Sequence, residues 1–311
     1  MAQTALSQGS FRRGPSSAEA IRRSLYPYLL VAPVVLLVGA GIFYPLVYVA
    51  YISTQEYSPF YTQGQMFFTG LHNYQHLLGD SNFWGALATS GIWVLGSVAP
   101  QFLIGLGIAL LLNERFPGRG AIRSLILLPW VVSGVVTGIL WMWLFDGTVG
   151  VLNDLLVRSG LASAPIPWAV RPSTSFFMLF VANAWRGAPF FAIMLLAALQ
   201  SISGDIYEAA RVDGAGRWQR FRYVTAPLIM NAVILSTLLR ALWTFNYIDL
   251  IWTMTHGGPA NTTRTLAMYI LDTCYRDGDF GYAAALSVGL VVVLLIFSGL
   301  YWRLNRFGYQ H

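Results

Sequence analysis

The sequence predicts an all-α, polytopic membrane protein with six transmembrane helices, and three observations carry that reading. Of its 311 residues 56% are hydrophobic and only 10% charged, with a mean hydropathy of +0.57. A soluble domain carries roughly 25% charged residues, so this chain cannot cover itself with a polar surface. Six apolar stretches reach the roughly 20 residues that a membrane helix needs. Arginines alternate between dense and sparse in the connections between those stretches.

The first stretch, 28–52, holds Pro33 and Pro45, which predicts a kinked helix. It is longer than the roughly 7–15 apolar residues of a signal peptide and has no clean small-x-small cleavage site, so it reads as an uncleaved anchor. Further spans follow at 84–112, 125–145, 175–199, 226–252 and 282–304. Arg12, Arg13, Arg22 and Arg23 precede the first span, and the connection after it has no arginine. Summed over alternate connections and tails, one side carries 13 arginines and the other 4. Positive charge is retained on the cytoplasmic side, which predicts cytoplasmic termini: a tail at 1–26, a six-helix domain at 27–308 and a short tail at 309–311.

Composition also excludes functions. All 19 basic residues are arginine. Without lysine there is no P-loop and no Schiff-base chemistry. One cysteine, Cys274, permits no intrachain disulfide and no cysteine-based zinc cluster. His72 and His76 stand four apart, but two imidazoles make a poor metal site and are read as surface or packing residues. The basic residues form no single stripe, which argues against nucleic acid. No catalytic pair, cofactor motif or metal motif is found. The expected partners are protein and membrane lipid.

The connection after the fourth span is charged and punctuated by glycine. Ser203 is placed to cap a short helix with Asp205 in its first turn. Ile206, Ala209 and Ala210 recur at helical spacing. Gly214 and Gly216 then break the helix, Gly214 by permitting a left-handed turn. Trp218 and Phe221 open a second piece that Pro227 leads into the next span. From spacing alone, an amphipathic segment resting on lipid headgroups is an alternative.

Glu208-Ala209-Ala210, then Gly214, then Val224-Thr225-Ala226-Pro227 resembles the EAA motif of ABC-importer permeases. Val and Ala stand where the usual tail has Ile and Leu. The stretches FTGLHNYQHLLGDSNFWGAL, THGGPANTTRTLAMYI and DFGYAAALSV resemble the same family, in its carbohydrate-uptake branch of maltose-type and glycerol-phosphate-type permeases. The resemblance begins near Pro27. It implies the type I permease fold, in a bacterial cytoplasmic membrane. It also implies a second permease subunit (a heterodimer is expected), two cytoplasmic ATPase subunits and an extracytoplasmic sugar-binding protein. Segment 203–223 would be the coupling element, with Glu208, Ala209, Ala210, Asp213, Gly214, Gly216 and Pro227 engaging the ATPase.

Arg186 and Arg240 lie inside spans, about 16 Å and about 20 Å from the respective ends at 1.5 Å per residue. A charge at that depth marks a pathway or a buried pair. Asn183, Arg186, Gly187 and Phe190 share one helix face, and Arg240, Trp243, Thr244 and Tyr247 repeat the spacing. Aromatic faces beside hydrogen-bonding groups suit sugars, and the resemblance places sugar contacts in the same helices. Structural pairing of the arginines is the competing reading. Arg240 and Asp249 fall on opposite sides of a straight helix, so Asp249 is read as holding the Gly257-Gly258-Pro259 loop. The aromatics favour a neutral oligosaccharide such as maltose or trehalose. The arginines leave room for an anionic solute such as a glycerol phosphate. An ion-coupled transporter would want more membrane carboxylates than Asp249.

Overall fold

The computed structural model describes residues 17–306 and divides between Tyr51 and Ile52 into two units. The expected tail at 309–311 and most of that at 1–26 lie outside the described residues.

The first unit is helical: α1 (Ser17–Val38), a π-helical turn (Gly39–Phe43) and α2 (Tyr44–Ile52, whose last residue begins the second unit). The π turn ends two residues before Pro45. A proline has no N–H and its ring crowds the carbonyl four residues back. A wider turn moves that carbonyl aside, so the helix meets Pro45 with a π turn in place of regular α-helix. Pro33 sits inside α1 with no break.

The second unit opens with a short hairpin, β1 (Gln55–Tyr57) and antiparallel β2 (Met66–Phe68), that the all-α reading did not anticipate. Then come α3 (His72–Gly79), α4 (Ser81–Asn113), α5 (Arg119–Val131), α6 (Gly134–Leu144), α7 (Val151–Arg158) and α8 (Pro172–Gln200). They are followed by α9 (Gly204–Val212), α10 (Arg217–Arg220), a second π turn (Phe221–Thr225) and α11 (Ala226–Phe245). The unit closes with α12 (Asp249–Met254), α13 (Leu266–Tyr275) and α14 (Phe280–Arg306). The second π turn ends two residues before Pro227, as the first does before Pro45.

Five described helices are long and apolar enough to cross a membrane, or six if the bent pair α5–α6 counts as one span. Two spans differ from expectation. The stretch 125–145 is not one helix: α5 and α6 meet at 94°, because Val132 turns to extended backbone (ψ 133°). Pro129 lies within α5 and is not the breaker. The fifth span stops at Phe245, where Asn246 ends the helix, and the apolar run continues as the separate α12.

The centre of this unit is the pairing of α4 with α8, against which α11 packs. Trp93, Ser97, Gln101, Gly105 and Ala109 recur every fourth residue on α4, and all are buried. Ala184, Ala188 and Ala192 do the same on α8. The small residues among these, Gly105 against Ala188 and Ala192 above all, allow the helix backbones to approach closely where no water drives association. Aromatic and aliphatic side chains such as Phe191, Leu195 and Leu286 fill the remaining space.

A polar knot ties the start of α4 to α13 and α14. Asp80 caps α4 by accepting from the Asn82 N–H (2.8 Å). It also accepts from the hydroxyls of Tyr269 and Tyr282, each at 2.7 Å. Arg264 donates to Asn82 (2.9 Å) and covers the Tyr269 ring at 4.7 Å. The His76 ring packs 4.4 Å from that of Tyr282.

Burial raises the Asp80 pKa, but the bonds from Tyr269, Tyr282 and Asn82 outweigh it and hold the group below its ordinary value. Burial and the bond to Asp80 push the Tyr269 phenol up to about 12, so it stays a donor. A carboxyl whose pKa is lower folded than unfolded stabilises above the unfolded value, roughly 3.9. That contribution fades as pH falls through the folded value. Thermal melts of the purified protein are expected to drop as pH falls from 5 towards 3, and Asp80→Asn is expected to flatten that dependence. The variant is expected to cost about 1–3 kcal/mol at pH 7. An unchanged pH profile in Asp80→Asn would remove this role.

Candidate functional site

The site forms where α8 and α11 face the break between α5 and α6. A cavity of about 230 Å³ is lined by Trp130, Arg186, Arg240, Trp243, Thr244 and Tyr247. Trp130 closes α5 just before the chain turns. The turn exposes the Val132 carbonyl, which accepts from Arg186 Nε at 3.3 Å. The Arg186 guanidinium lies 4.9 Å from the centre of the Tyr247 ring. Tyr247 is able to meet it because α11 has already ended.

Arg240 comes from the last turns of α11 and is only 5% exposed. Its Nε donates to Gln101 Oε1 on α4 at 2.5 Å. Gly187 makes room for this pair: a Cβ there would strike the Gln101 amide and Arg240 Nη2. Thr244 donates back to the Arg240 carbonyl (2.8 Å), and Trp93 Nε1 donates to the Thr244 carbonyl (3.0 Å). These bonds fix the last turn of α11. The rings of Phe190 and Trp243 meet edge-to-face at 5.2 Å, and Trp130 approaches Phe190 at 6.4 Å.

Five of the eight residues expected to contact substrate thus line one cavity: Arg186, Arg240, Trp243, Thr244 and Tyr247. Phe190 supports Trp243 from behind, and Gly187 lies beneath Arg240. Asn183 is fully buried, one turn from Gly187, with neither amide atom paired. Trp130 and Gln101 were not foreseen. A lone amide in the middle of an apolar span, and an aromatic after Pro129, were the available signals. Asp249 does not hold the glycine loop. It packs on Gly134 beside the Tyr247 hydroxyl, while Thr255 and Thr263 close the loop, bonded to each other at 2.9 Å with Thr263 donating to the Gly258 carbonyl at 2.7 Å.

A larger groove of about 670 Å³ lies between α4, α5, α6 and α8, with Pro100, Ile126, Trp141, Phe180 and Trp185 among its walls. It is almost wholly apolar: the indole N–H groups of Trp141 and Trp185 are the polar side-chain atoms its walls carry, and Trp141 Nε1 has no partner among the described residues.

The elbow after α8 takes the form expected of it. Ser203 caps α9 by accepting from the Asp205 N–H (3.3 Å). Beyond Asp213, Gly214 adopts φ +77°. Its N–H reaches the Arg211 carbonyl (3.1 Å) and that of Ala215 reaches the Ala210 carbonyl (2.9 Å), a Schellman motif. Gly216 is extended and leads into α10. Glu208, Ala209 and Asp213 are exposed and Ala210 half-buried. Val212, Trp218 and Tyr223 are exposed by 70–90%, and Pro227 opens α11.

Residues 101–307 match the family described as binding-protein-dependent transport system inner membrane component. The chain belongs to that family. Relatives agree over nearly the whole permease. It is 32% identical over 286 residues to the trehalose/maltose transport system permease protein MalF of Thermococcus litoralis, covering 92% of this chain and 95% of that one. It is 34% identical over 283 residues to the sulfoquinovosyl glycerol transport system permease protein SmoG of Agrobacterium fabrum, covering 91% of each. The fold matches a chain in the crystal structure of a bacterial alginate ABC transporter in complex with its alginate pentasaccharide-bound periplasmic protein. That match has a TM-score of 0.80 at 22% identity and covers 94% of the permease and 98% of the other chain. The permease is a multi-pass membrane subunit of an ABC importer.

Proposed function

We propose that this permease carries carbohydrate through a bacterial cytoplasmic membrane, with the cavity between α8, α11 and the α5–α6 break as the point of contact. The supporting observation is the convergence there of two tryptophans, two arginines, a threonine and a tyrosine. Aromatic faces stack on sugar rings while the polar groups pair with hydroxyls. The named substrates of the relatives, trehalose/maltose and sulfoquinovosyl glycerol, support a sugar.

In this reading a sugar-binding protein delivers substrate outside. A second permease subunit, a different chain, completes the pathway. Two ATPase subunits dock the elbow at 203–223, which lies in the cytoplasm with both termini. The permease itself hydrolyses nothing. ATP acts through its different contacts with the inward- and outward-open states, and the elbow passes that difference to the helices around the cavity.

Uptake of labelled sugars by cells carrying the whole importer tests this. Transport is expected to stop on ATP depletion and to ignore collapse of ion gradients. Trp243→Ala is expected to raise KM about ten-fold, the loss of about 1.4 kcal/mol, with the complex still assembling. Uptake that followed an ion gradient instead would overturn the proposal.

A further inference from the structure

We infer that the cavity takes a carbohydrate bearing an acid group, a carboxylate, sulfonate or phosphate, and that Gln101 sets this preference. The inference rests on the reading of the cavity as the substrate site.

Charge decides it. Buried or membrane-embedded arginines are ordinarily paired with acids. Among the described residues neither Arg186 nor Arg240 has a carboxylate within 4.0 Å. Arg240, almost fully buried, instead donates to the neutral amide of Gln101. Arg186 donates to a backbone carbonyl. Asp249, which packs on Gly134 beside the Tyr247 hydroxyl, is one carboxylate against two guanidiniums.

Had α4 carried Glu at position 101, Arg240 would be neutralised inside the protein. Gln supplies the same acceptor oxygen at the same place and leaves the charge intact. Gly187 then leaves room for Arg240 Nη2 against α8, and Arg240 forms part of the cavity wall. Two guanidinium forks beside two indole rings suit a ring with an acid substituent, since Arg pairs with planar or tetrahedral oxyanions through two parallel hydrogen bonds. The volume of about 230 Å³ is below the roughly 300 Å³ of pockets for drug-sized ligands, which suits one sugar unit at a time.

The test uses the purified permease complex in nanodiscs, without binding protein. The probes are galacturonate and its neutral methyl ester, titrated calorimetrically. The acid is expected to bind at least about ten-fold more tightly than the ester. Gln101→Glu is expected to bring the ratio near one. Arg186→Gln is expected to lower the ratio as well, so the result does not hang on one variant folding. Equal affinities in the wild type, both reduced by Trp243→Ala, would overturn the acid preference and leave the cavity as the sugar site. Affinities untouched by Trp243→Ala and Arg186→Gln, or no binding of either probe, would overturn both.

Discussion

Replacing Gly214 by valine is expected to abolish uptake while the protein still inserts in the membrane. Gly214 sits at φ +77°, a left-handed backbone that costs an L-residue roughly 1–2 kcal/mol and a β-branched one more. The Schellman bonds to Ala210 and Arg211 depend on that conformation. Relieving the strain would swing α9 away from α10, and the corner between them would lose its shape. No Cβ contact is involved, since nothing lies within 4 Å. The loss would therefore be one of shape at the surface, not of core packing. Gly216 provides the comparison. Its φ is −66°, and a Cβ there would meet only Gln219 Oε1 at 3.5 Å, so Gly216→Ala is expected to be near neutral. Uptake, ATPase co-purification and substrate-stimulated hydrolysis would be measured on both variants. Equal activity in the two would show that the corner's geometry does not matter to coupling.

Gly105→Leu is expected to have the largest effect on stability. At Gly105 the backbones of α4 and α8 come so close that a Cβ would meet Phe191 Cβ, the Ala188 carbonyl oxygen at 2.8 Å and the Ala192 nitrogen at 3.0 Å. Two of those three atoms are main chain and cannot rotate away. Overpacking of a core typically costs about 1–3 kcal/mol, and here the helix pair itself must separate. Gly107, two residues on, is exposed and has nothing within 4 Å of a Cβ. There leucine should gain up to roughly 1 kcal/mol from helix propensity. The same substitution is thus expected to act with opposite sign at two positions on one helix. Melting of the detergent-solubilised variants measures it, and similar melting temperatures would rule out close α4–α8 contact.

Hydropathy located the spans but not their interruptions. Residues 125–145 are apolar throughout, and an apolar count carries no sign of a 94° turn at Val132. Asn246 interrupts the fifth span too weakly to offset the apolar residues of α12, so the expected end ran seven residues past Phe245. The site was legible where it follows one helix. The face of Arg186 and Phe190 and that of Arg240, Trp243 and Thr244 are set by the 3.6-residue repeat alone. Gln101 and Trp130 were not, because which side of α4 or α5 meets Arg240 depends on how helices pack. The elbow was read nearly in full, since caps and left-handed glycines are local events.

The π turn at 221–225 links the elbow to the cavity by rotation. Successive α-helical residues advance by about 100°, and a π turn accommodates one residue beyond the α-helical count. Every side chain of α11 therefore owes its bearing to that additional residue. An otherwise identical chain with one residue fewer there would keep the same elbow, yet aim Arg240 and Trp243 more than a quarter of the way round the helix axis. Chimaeras that exchange elbows between importers must match this count, whatever their sequence similarity.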